Sequence, residues 1–258
     1  MHSSNLPLSS ADLADPSQLR VNVIIARSVD YDGIPTGSIE VFIRDEADEP
    51  VANESIQVQV NGRPLILNND SSIYFGAYPH YRLTDSTFIV GAGVSYMVIV
   101  VLTDGQAYTL GTIQTLPAIT PAQFLPPDRH SRQQALTLTW RQLEPHNWFV
   151  NQWKRWQGET SATTLRIAKS KWVNDLWNDL SPEQGSADKA DYLAIPIGAG
   201  DENYTIPLSY FEGPLAQFNC LDLQIDSEKN LLVTKPFREG SVISSVNTTL
   251  YRIEATTD

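Results

Sequence analysis

Two groups of carboxylates are the first candidates for chemistry in this 258-residue chain. They lie at residues 30–33, Asp-Tyr-Asp-Gly, and at residues 45–49, Asp-Glu-Ala-Asp-Glu. Calcium collects about six to eight oxygen ligands, and acidic turns can supply them. Neither group has the spacing of the helix-loop-helix calcium loop, and Asp at turns commonly accepts hydrogen bonds from the nearby backbone. We therefore interpret both groups as solvated turns and predict no metal site and no cofactor.

Catalytic signatures are missing from the chain. The motifs H-E-x-x-H, G-x-S-x-G and C-x-x-C do not occur, and neither does a phosphate-binding Walker loop. Cys220 opens a predicted strand and is interpreted as a small buried apolar residue. We therefore predict no catalytic residues and a protein that is not an enzyme. A hydrolase is kept as the third hypothesis, because opposed carboxylates cannot be paired from sequence alone.

Tryptophan is concentrated in one part of the chain, between residues 140 and 177. Trp140 is in phase with Leu136 and Leu138 on an alternating strand, so it is predicted to lie in the core. Three tryptophans are less constrained, and an exposed aromatic strip can stack on sugar rings or anchor a protein interface. They are the predicted binding residues, together with a loop expected over residues 185–201: Trp148, Trp156 and Trp177.

The net charge narrows the classes of partner. The chain carries 18 basic and 30 acidic residues, a net charge of −12 that repels phosphate backbones and anionic lipid headgroups. Its longest apolar run, residues 94–102, is about half of what a membrane-spanning helix needs. We expect no nucleic-acid partner and no transmembrane segment, which leaves a protein or a glycan as the partner.

Alternation of apolar and polar residues, the period of a β-strand, dominates the chain and predicts an all-β fold. We expect two tandem immunoglobulin-like or fibronectin-like sandwiches, over residues 20–117 and 129–258. Residues 118–128 are rich in proline and are the predicted linker. Apolar side chains at spacings of three and four predict one short helix over residues 170–180.

The alternating segments give the individual strands, and Asn-Gly at residues 61–62 and Asp-Gly at 104–105 give two hairpin turns. The predicted strands lie at residues 21–26, 38–43, 55–60, 88–90, 95–102, 108–115, 135–140, 149–156, 163–167, 204–208, 220–225, 231–234 and 248–255.

Two segments resemble known sandwich domains. Residues 93–100, Gly-Val-Ser-Tyr-Met-Val-Ile-Val, with the Asp-Gly turn and the Thr-Leu-Pro at 115–117, resemble the closing hairpin of fibronectin-type and bacterial immunoglobulin-like domains. That resemblance implies that Tyr96 packs and hydrogen-bonds back across the corner of the hairpin. Residues 48–62, with Asp-Glu-Pro-Val and Ser-Ile-Gln-Val-Gln-Val-Asn-Gly, resemble the strand pair of carboxypeptidase-regulatory-like sandwiches.

The order of these segments is similar to a family of Bacteroidota lipoproteins, the domain of unknown function 4249, chiefly over residues 20–156. The resemblance implies an exported, lipid-anchored protein of the cell envelope or outer membrane, often encoded beside nutrient-uptake receptors. Residues 1–5, Met-His-Ser-Ser-Asn, look like an artificial start on a trimmed mature chain, so we expect a signal segment and a lipid anchor upstream.

The expected function is a non-enzymatic binding or structural module of the cell envelope, accessory to nutrient uptake. The alternative is a carbohydrate-binding protein that uses exposed tryptophans. Both hypotheses place the contact with a partner in the second predicted domain.

Overall fold

The computed structural model describes residues 13–69, 78–85, 88–143, 159–173, 176–179, 192–198, 200–212, 219–233 and 235–257. These residues form strands and two short 3₁₀ turns, Pro16–Gln18 and Leu208–Phe211. The all-β class is therefore confirmed. The strands are β1 Arg20–Val29, β2 Pro35–Arg44, β3 Gln57–Val60, β4 Arg63–Asn68, β5 His80–Arg82, β6 Ser95–Val101, β7 Ala107–Gln114, β8 Arg129–Ser131, β9 Leu136–Thr139, β10 Glu159–Val173, β11 Leu176–Asp179, β12 Tyr192–Pro196, β13 Asn203–Ile206, β14 Cys220–Leu232 and β15 Val242–Thr256.

One sheet runs through most of these strands, in the order β11-β10-β14-β15-β1-β2-β5-β4-β3-β6-β7. Strand β12 pairs with β10, β8 pairs with β15, and β9 forms a separate ladder with β13. The last strand, β15, pairs with neighbouring strands on both of its edges. One of its edges pairs with β14, and its other edge pairs in parallel with β1 and then with β8.

The inner face of this sheet carries two buried apolar clusters. The first is built from β1, β2, β3, β6 and β7, and it also takes in Phe237 and Ile243 from the C-terminal part of the chain. The second joins β9, β10 and β14 to Phe124 and Ile253. Strand β15 therefore contributes to both clusters. The division into two sandwiches at residues 118–128 stays a prediction.

A row of polar side chains crosses the inner face between the two clusters. Thr163, Ser227, Asn247 and Arg27 are paired in register on β10, β14, β15 and β1. Thr163 and Ser227 share a hydrogen bond of 3.2 Å, and Arg27 donates to the Asn247 side chain at 3.1 Å. The Asn247 amide donates in turn to the backbone carbonyl of Pro117 at 3.1 Å. Buried polar groups need hydrogen-bond partners, and these side chains find theirs within the row and at the Pro117 carbonyl. The polar row lies at the boundary between the two apolar clusters.

Most of the predicted strands contain strands in the structure, because their alternating residues bury one face. The segment 88–90 is not a strand, and residues 149–156 lie outside the described residues. The predicted strand at 231–234 starts as the end of β14. Both residues of the Asn61-Gly62 turn have positive φ, 49° and 74°, as that hairpin requires.

Tyr96 has the role that the resemblance implies. Its ring is 4% exposed, and its hydroxyl accepts a hydrogen bond of 2.8 Å from the backbone N–H of Gly91. The phenol thus ties the first residues of β6 to the chain that leads into them.

The helix predicted over residues 170–180 is wrong. Residues 170–173 end β10 and residues 176–179 form β11, and the two strands are an antiparallel hairpin with Trp172 opposite Trp177. Strand β10 is already committed to an extended backbone by its ladder with β14, which runs from Glu159 to Ser170. Tertiary pairing here outweighs the weak helical spacing of the apolar residues.

Two other predicted irregular segments are more ordered than expected. The described part of the loop expected at 185–201 contains strand β12, which pairs with β10. The predicted linker buries Phe124, which is 1% exposed and bridges to Trp140. None of the helical turns among the described residues is long and apolar enough to span a bilayer.

Candidate binding surface

The even-numbered residues of β10, β14, β15 and β1 share the outer face of the sheet, opposite the two apolar clusters. The register places Arg166, Gln224 and Leu250 in one row and Thr164, Asp226, Thr248 and Ser28 in the next. These side chains are partly exposed, whereas the odd-numbered neighbours of the same strands are mostly buried. We call this surface of mixed polar and apolar side chains the outer face.

Asp226 organises the polar side chains at the centre of the outer face. Its carboxylate forms an ion pair of 2.6 Å with the Arg166 guanidinium and accepts hydrogen bonds from Gln224, at 2.9 Å, and Thr248, at 2.7 Å. Charged hydrogen bonds of this length restrict the rotamers of all the partners. The centre of the outer face is therefore a pre-ordered set of donors and acceptors on three neighbouring strands.

A second polar group lies at one end of the outer face. The Arg252 guanidinium forms an ion pair of 2.8 Å with Asp222 and sits 4.0 Å from the centroid of the Tyr31 ring. Burial and, after it, the Asp222 carboxylate raise the pKa of Tyr31 to about 12, and the Arg252 guanidinium opposes this shift. Tyr31 belongs to the first acidic turn, so that turn packs its aromatic residue onto β15.

The acidic turns themselves use their carboxylates locally. The Asp30 side chain accepts hydrogen bonds from the backbone N–H groups of Asp32, at 3.0 Å, and Ile34, at 2.7 Å. The Asp45 side chain does the same for Ala47 and Glu49, at 2.9 and 3.0 Å. These contacts are the turn hydrogen bonds expected of Asp. Within the described ranges, no group of three or more His, Cys, Asp or Glu side chains could hold a metal ion.

Most of the predicted tryptophan strip lies outside the described residues. Trp148 and Trp156 lie outside the described residues, and only the backbone of Trp177 is described, on β11. Trp140 is 3% exposed, and its indole N–H donates to the backbone carbonyl of Asp201 at 2.7 Å. The core position predicted for Trp140 is confirmed, and the strip stays a prediction.

Cys220 is buried, as predicted, and its sulfur lies 2.9 Å from the Ser170 hydroxyl. A thiol in this position is closed off by the neighbouring strand rather than presented to solvent.

A groove runs along the open edge of β2. Strand β5, the neighbour of β2 on the side away from β1, pairs with β2 only at Glu40 and Val41. Beyond that point the chain turns away through residues 83–85, leaving a groove of about 360 Å³ beside residues 35–39 of β2. Its far wall is formed by residues 83–85 with Phe88 and Ile89, and Ile89 is 53% exposed.

Local sequence pattern predicts neither the outer face nor this groove. Alternation shows which residues of a strand share a face, but both surfaces depend on which strands are neighbours. The short length of β5 is the one available signal, because the sequence contains only a brief alternating segment around Tyr81.

Comparison with known proteins gives little on which to assign the chain. No family model matches it, and no curated protein matches it. Among solved structures it is similar to the adhesin InvE of Yersinia pseudotuberculosis, with 14% identity and a TM-score of 0.21. The match covers 89% of this chain and 58% of the adhesin chain, so this chain spans less than two thirds of that structure. At this TM-score the likeness supports neither a shared fold nor a shared function.

Proposed function

We propose that the protein is a non-enzymatic binding or structural module, exported to a cell envelope and accessory to nutrient uptake. One observation carries the binding role: the outer face presents the Asp226 group in fixed positions on a surface that spans four strands. Side chains already restricted by their neighbours lose little conformational entropy when a partner covers them. The face of a sheet suits contact with another macromolecule, whereas a small substrate is normally enclosed in a concave site. The envelope location is supported by the sequence resemblance alone.

Site-specific photo-cross-linking in the native cells tests this role. A photoreactive amino acid replaces Val246 on the outer face or, as the control, Thr112 on the edge strand β7. We expect a discrete adduct from position 246 and none from position 112. Equal adducts at both positions, or none at position 246 and at its outer-face neighbour 250, would contradict the proposal. Fractionation of the native cells, with detection of the protein in each fraction, separately tests the envelope location.

Carbohydrate binding is the alternative, and it depends on Trp148, Trp156 and Trp177. Titration with oligosaccharides and a readout of tryptophan fluorescence tests it, because the buried, hydrogen-bonded Trp140 contributes a nearly constant background. Turnover of generic ester, peptide or glycoside substrates tests the hydrolase hypothesis.

A further inference from the structure

We propose that the open edge of β2 binds an extended, basic peptide segment of another protein, which adds to the sheet as a further strand. This site is distinct from the outer face. It rests on the backbone directions of β2, on the groove beside that strand, and on the charge of the surrounding residues.

On the groove side, part of the β2 backbone has no partner strand among the described residues. The N–H of Leu83 donates to the carbonyl of Ile39 at 3.1 Å, which shows that the peptide groups of Ile39 point away from β1. Because the peptide groups of a strand alternate in direction, those of Gly37 point to the same side. Within the described residues, no strand pairs with β2 on that side between Pro35 and Ser38. The edge therefore offers the N–H and C=O of Gly37 and the carbonyl of Pro35.

Unpaired strand edges recruit other chains, and proteins commonly protect them with lysine, bulges or covering loops. Strand β7, at one end of the sheet, carries such a bulge where its register shifts opposite Val98 and Ile99. The segment 35–38 of β2 has no lysine and no bulge; Pro35, a residue type that also protects sheet edges, lacks an N–H but keeps its carbonyl. An extended peptide is the ligand that uses such an edge, since it satisfies backbone donors and acceptors together.

The shape of the groove fits one added strand. Its volume of about 360 Å³ lies within the range of about 300–1,000 Å³ for ligand sites. The space that a Cβ of Gly37 would fill on the inner face is taken by the Val90 side chain. A peptide therefore approaches along the edge of β2 and not from the core side. The exposed Ile89 offers an apolar contact for one side chain of that peptide.

The charge around the groove favours a basic peptide over an acidic one. Glu40, Asp85 and Arg82 line the groove, and Arg63, outside the lining, is paired with Asp85 at 3.3 Å. Asp30 and Asp32 lie in the turn that precedes β2. The two acids and one base of the lining leave a charge of −1, and the whole chain carries −12. A second copy of this chain is repelled by that charge, whereas a peptide with lysine or arginine at alternate positions is attracted.

The test uses a fluorescent, acetylated and amidated heptapeptide of alternating Lys and Val, measured by fluorescence anisotropy with the full chain. We expect saturable binding and a chemical-shift change of the Gly37 amide in ¹⁵N-labelled protein. A version of the peptide with N-methylated backbone on one edge should bind at least about tenfold more weakly, because methylation removes the N–H groups that would donate to the carbonyls of Gly37 and Pro35. The Glu-Val analogue should also bind at least about tenfold more weakly.

Matched protein variants locate the site. Ile89→Lys adds charge and bulk to the groove, and Ile66→Lys makes the same change at an equally exposed isoleucine on β4. We expect Ile89→Lys to weaken binding at least about fivefold more than Ile66→Lys. Equal binding of the methylated and unmethylated peptides, equal effects of the two lysine variants, or an unmoved Gly37 amide would each overturn the proposal. A photo-cross-link at position 246 would be unaffected by Ile89→Lys, so the outer-face role and this one fail separately.

Discussion

Asn247, on the last strand, donates a hydrogen bond of 3.1 Å to the backbone carbonyl of Pro117, the last residue of the first predicted sandwich. The same side chain accepts from Arg27 on the first strand. One buried amide therefore joins the N-terminal strand, the C-terminal strand and the end of the first predicted sandwich, at the boundary between the two apolar clusters.

Replacing this amide should be costly. Asn247→Leu leaves the Arg27 guanidinium and the Pro117 carbonyl without this partner, and we expect a loss of about 2–3 kcal/mol in the free energy of unfolding. Urea denaturation followed by fluorescence measures it. The control is Asn230→Leu on the outer face, where Asn230 donates to Glu228 and accepts from Ser244; because these groups are partly exposed and can bond to water instead, the change should cost under about 1 kcal/mol. Equal losses for the two variants would show that the polar row has no special role.

Gly37 is predicted to tolerate no side chain. A Cβ at this position would lie 2.7 Å from the Val90 side chain and 2.9 Å from the Ala26 carbonyl oxygen. We expect Gly37→Ala to lower the free energy of unfolding by about 1–3 kcal/mol, as overpacking does. The control is Ser38→Ala on the exposed face of the same strand, expected within about 0.5 kcal/mol of wild type.

A double-mutant cycle separates the two contacts of Gly37. In Gly37→Ala with Val90→Ala, part of the loss should be recovered relative to the sum of the single changes, because the smaller side chain removes one clash. Strict additivity would mean that the Ala26 carbonyl alone excludes a side chain.

Phe124 tests whether the Pro-rich segment is a free linker. It is 1% exposed and packs edge-on against the Tyr251 ring, with 5.0 Å between the ring centroids. We expect Phe124→Ala to cost about 3–5 kcal/mol of unfolding free energy, as for other buried phenylalanines. The adjacent Leu125 is 71% exposed, and Leu125→Ala should change stability by under about 0.5 kcal/mol. If Phe124→Ala left the free energy of unfolding unchanged, the segment would be a free linker, as the sequence predicts.

The phenol of Tyr31 should lose its proton at a higher pH than an ordinary tyrosine. Its pKa is raised to about 12 from the ordinary 10.0, chiefly by burial and then by the Asp222 carboxylate, so the folded state holds the proton more tightly than the unfolded chain. The resulting stabilisation is complete below pH 10 and is lost as the pH rises through about 12. Ultraviolet absorbance of phenolate, compared with that of Tyr31→Phe, should show one phenol fewer titrating near pH 12. Asp222→Asn should lower this pKa, and an unchanged titration would refute the pairing of Tyr31 with this end of the sheet.

Much of the fold is predictable from local pattern, since alternation locates the strands that have one buried face. The alternation at 248–255 predicts the second half of β15, for example, but nothing near it shows that the first half pairs with β1, which lies more than 200 residues earlier. The helix at 170–180 fails for the opposite reason: apolar residues at 172, 173, 176 and 177 fit a helix and a tight hairpin equally well. The residue types Asn and Asp at positions 174 and 175, which are common at turns, are the sequence signal that favours a hairpin.

The pairing of β1 with β15 has a mechanical consequence. The two strands run in the same direction over eight residue pairs, from Asn22 with Val242 to Val29 with Thr249. A pull toward the start of β1 and the end of β15 is directed along both strands in opposite senses, so it loads all the hydrogen bonds of the ladder at once. Strands pulled apart from a shared end would instead release their bonds one after another. Because forced unfolding is governed by the rate of crossing the barrier, this shear geometry gives the chain high resistance to tension along its length.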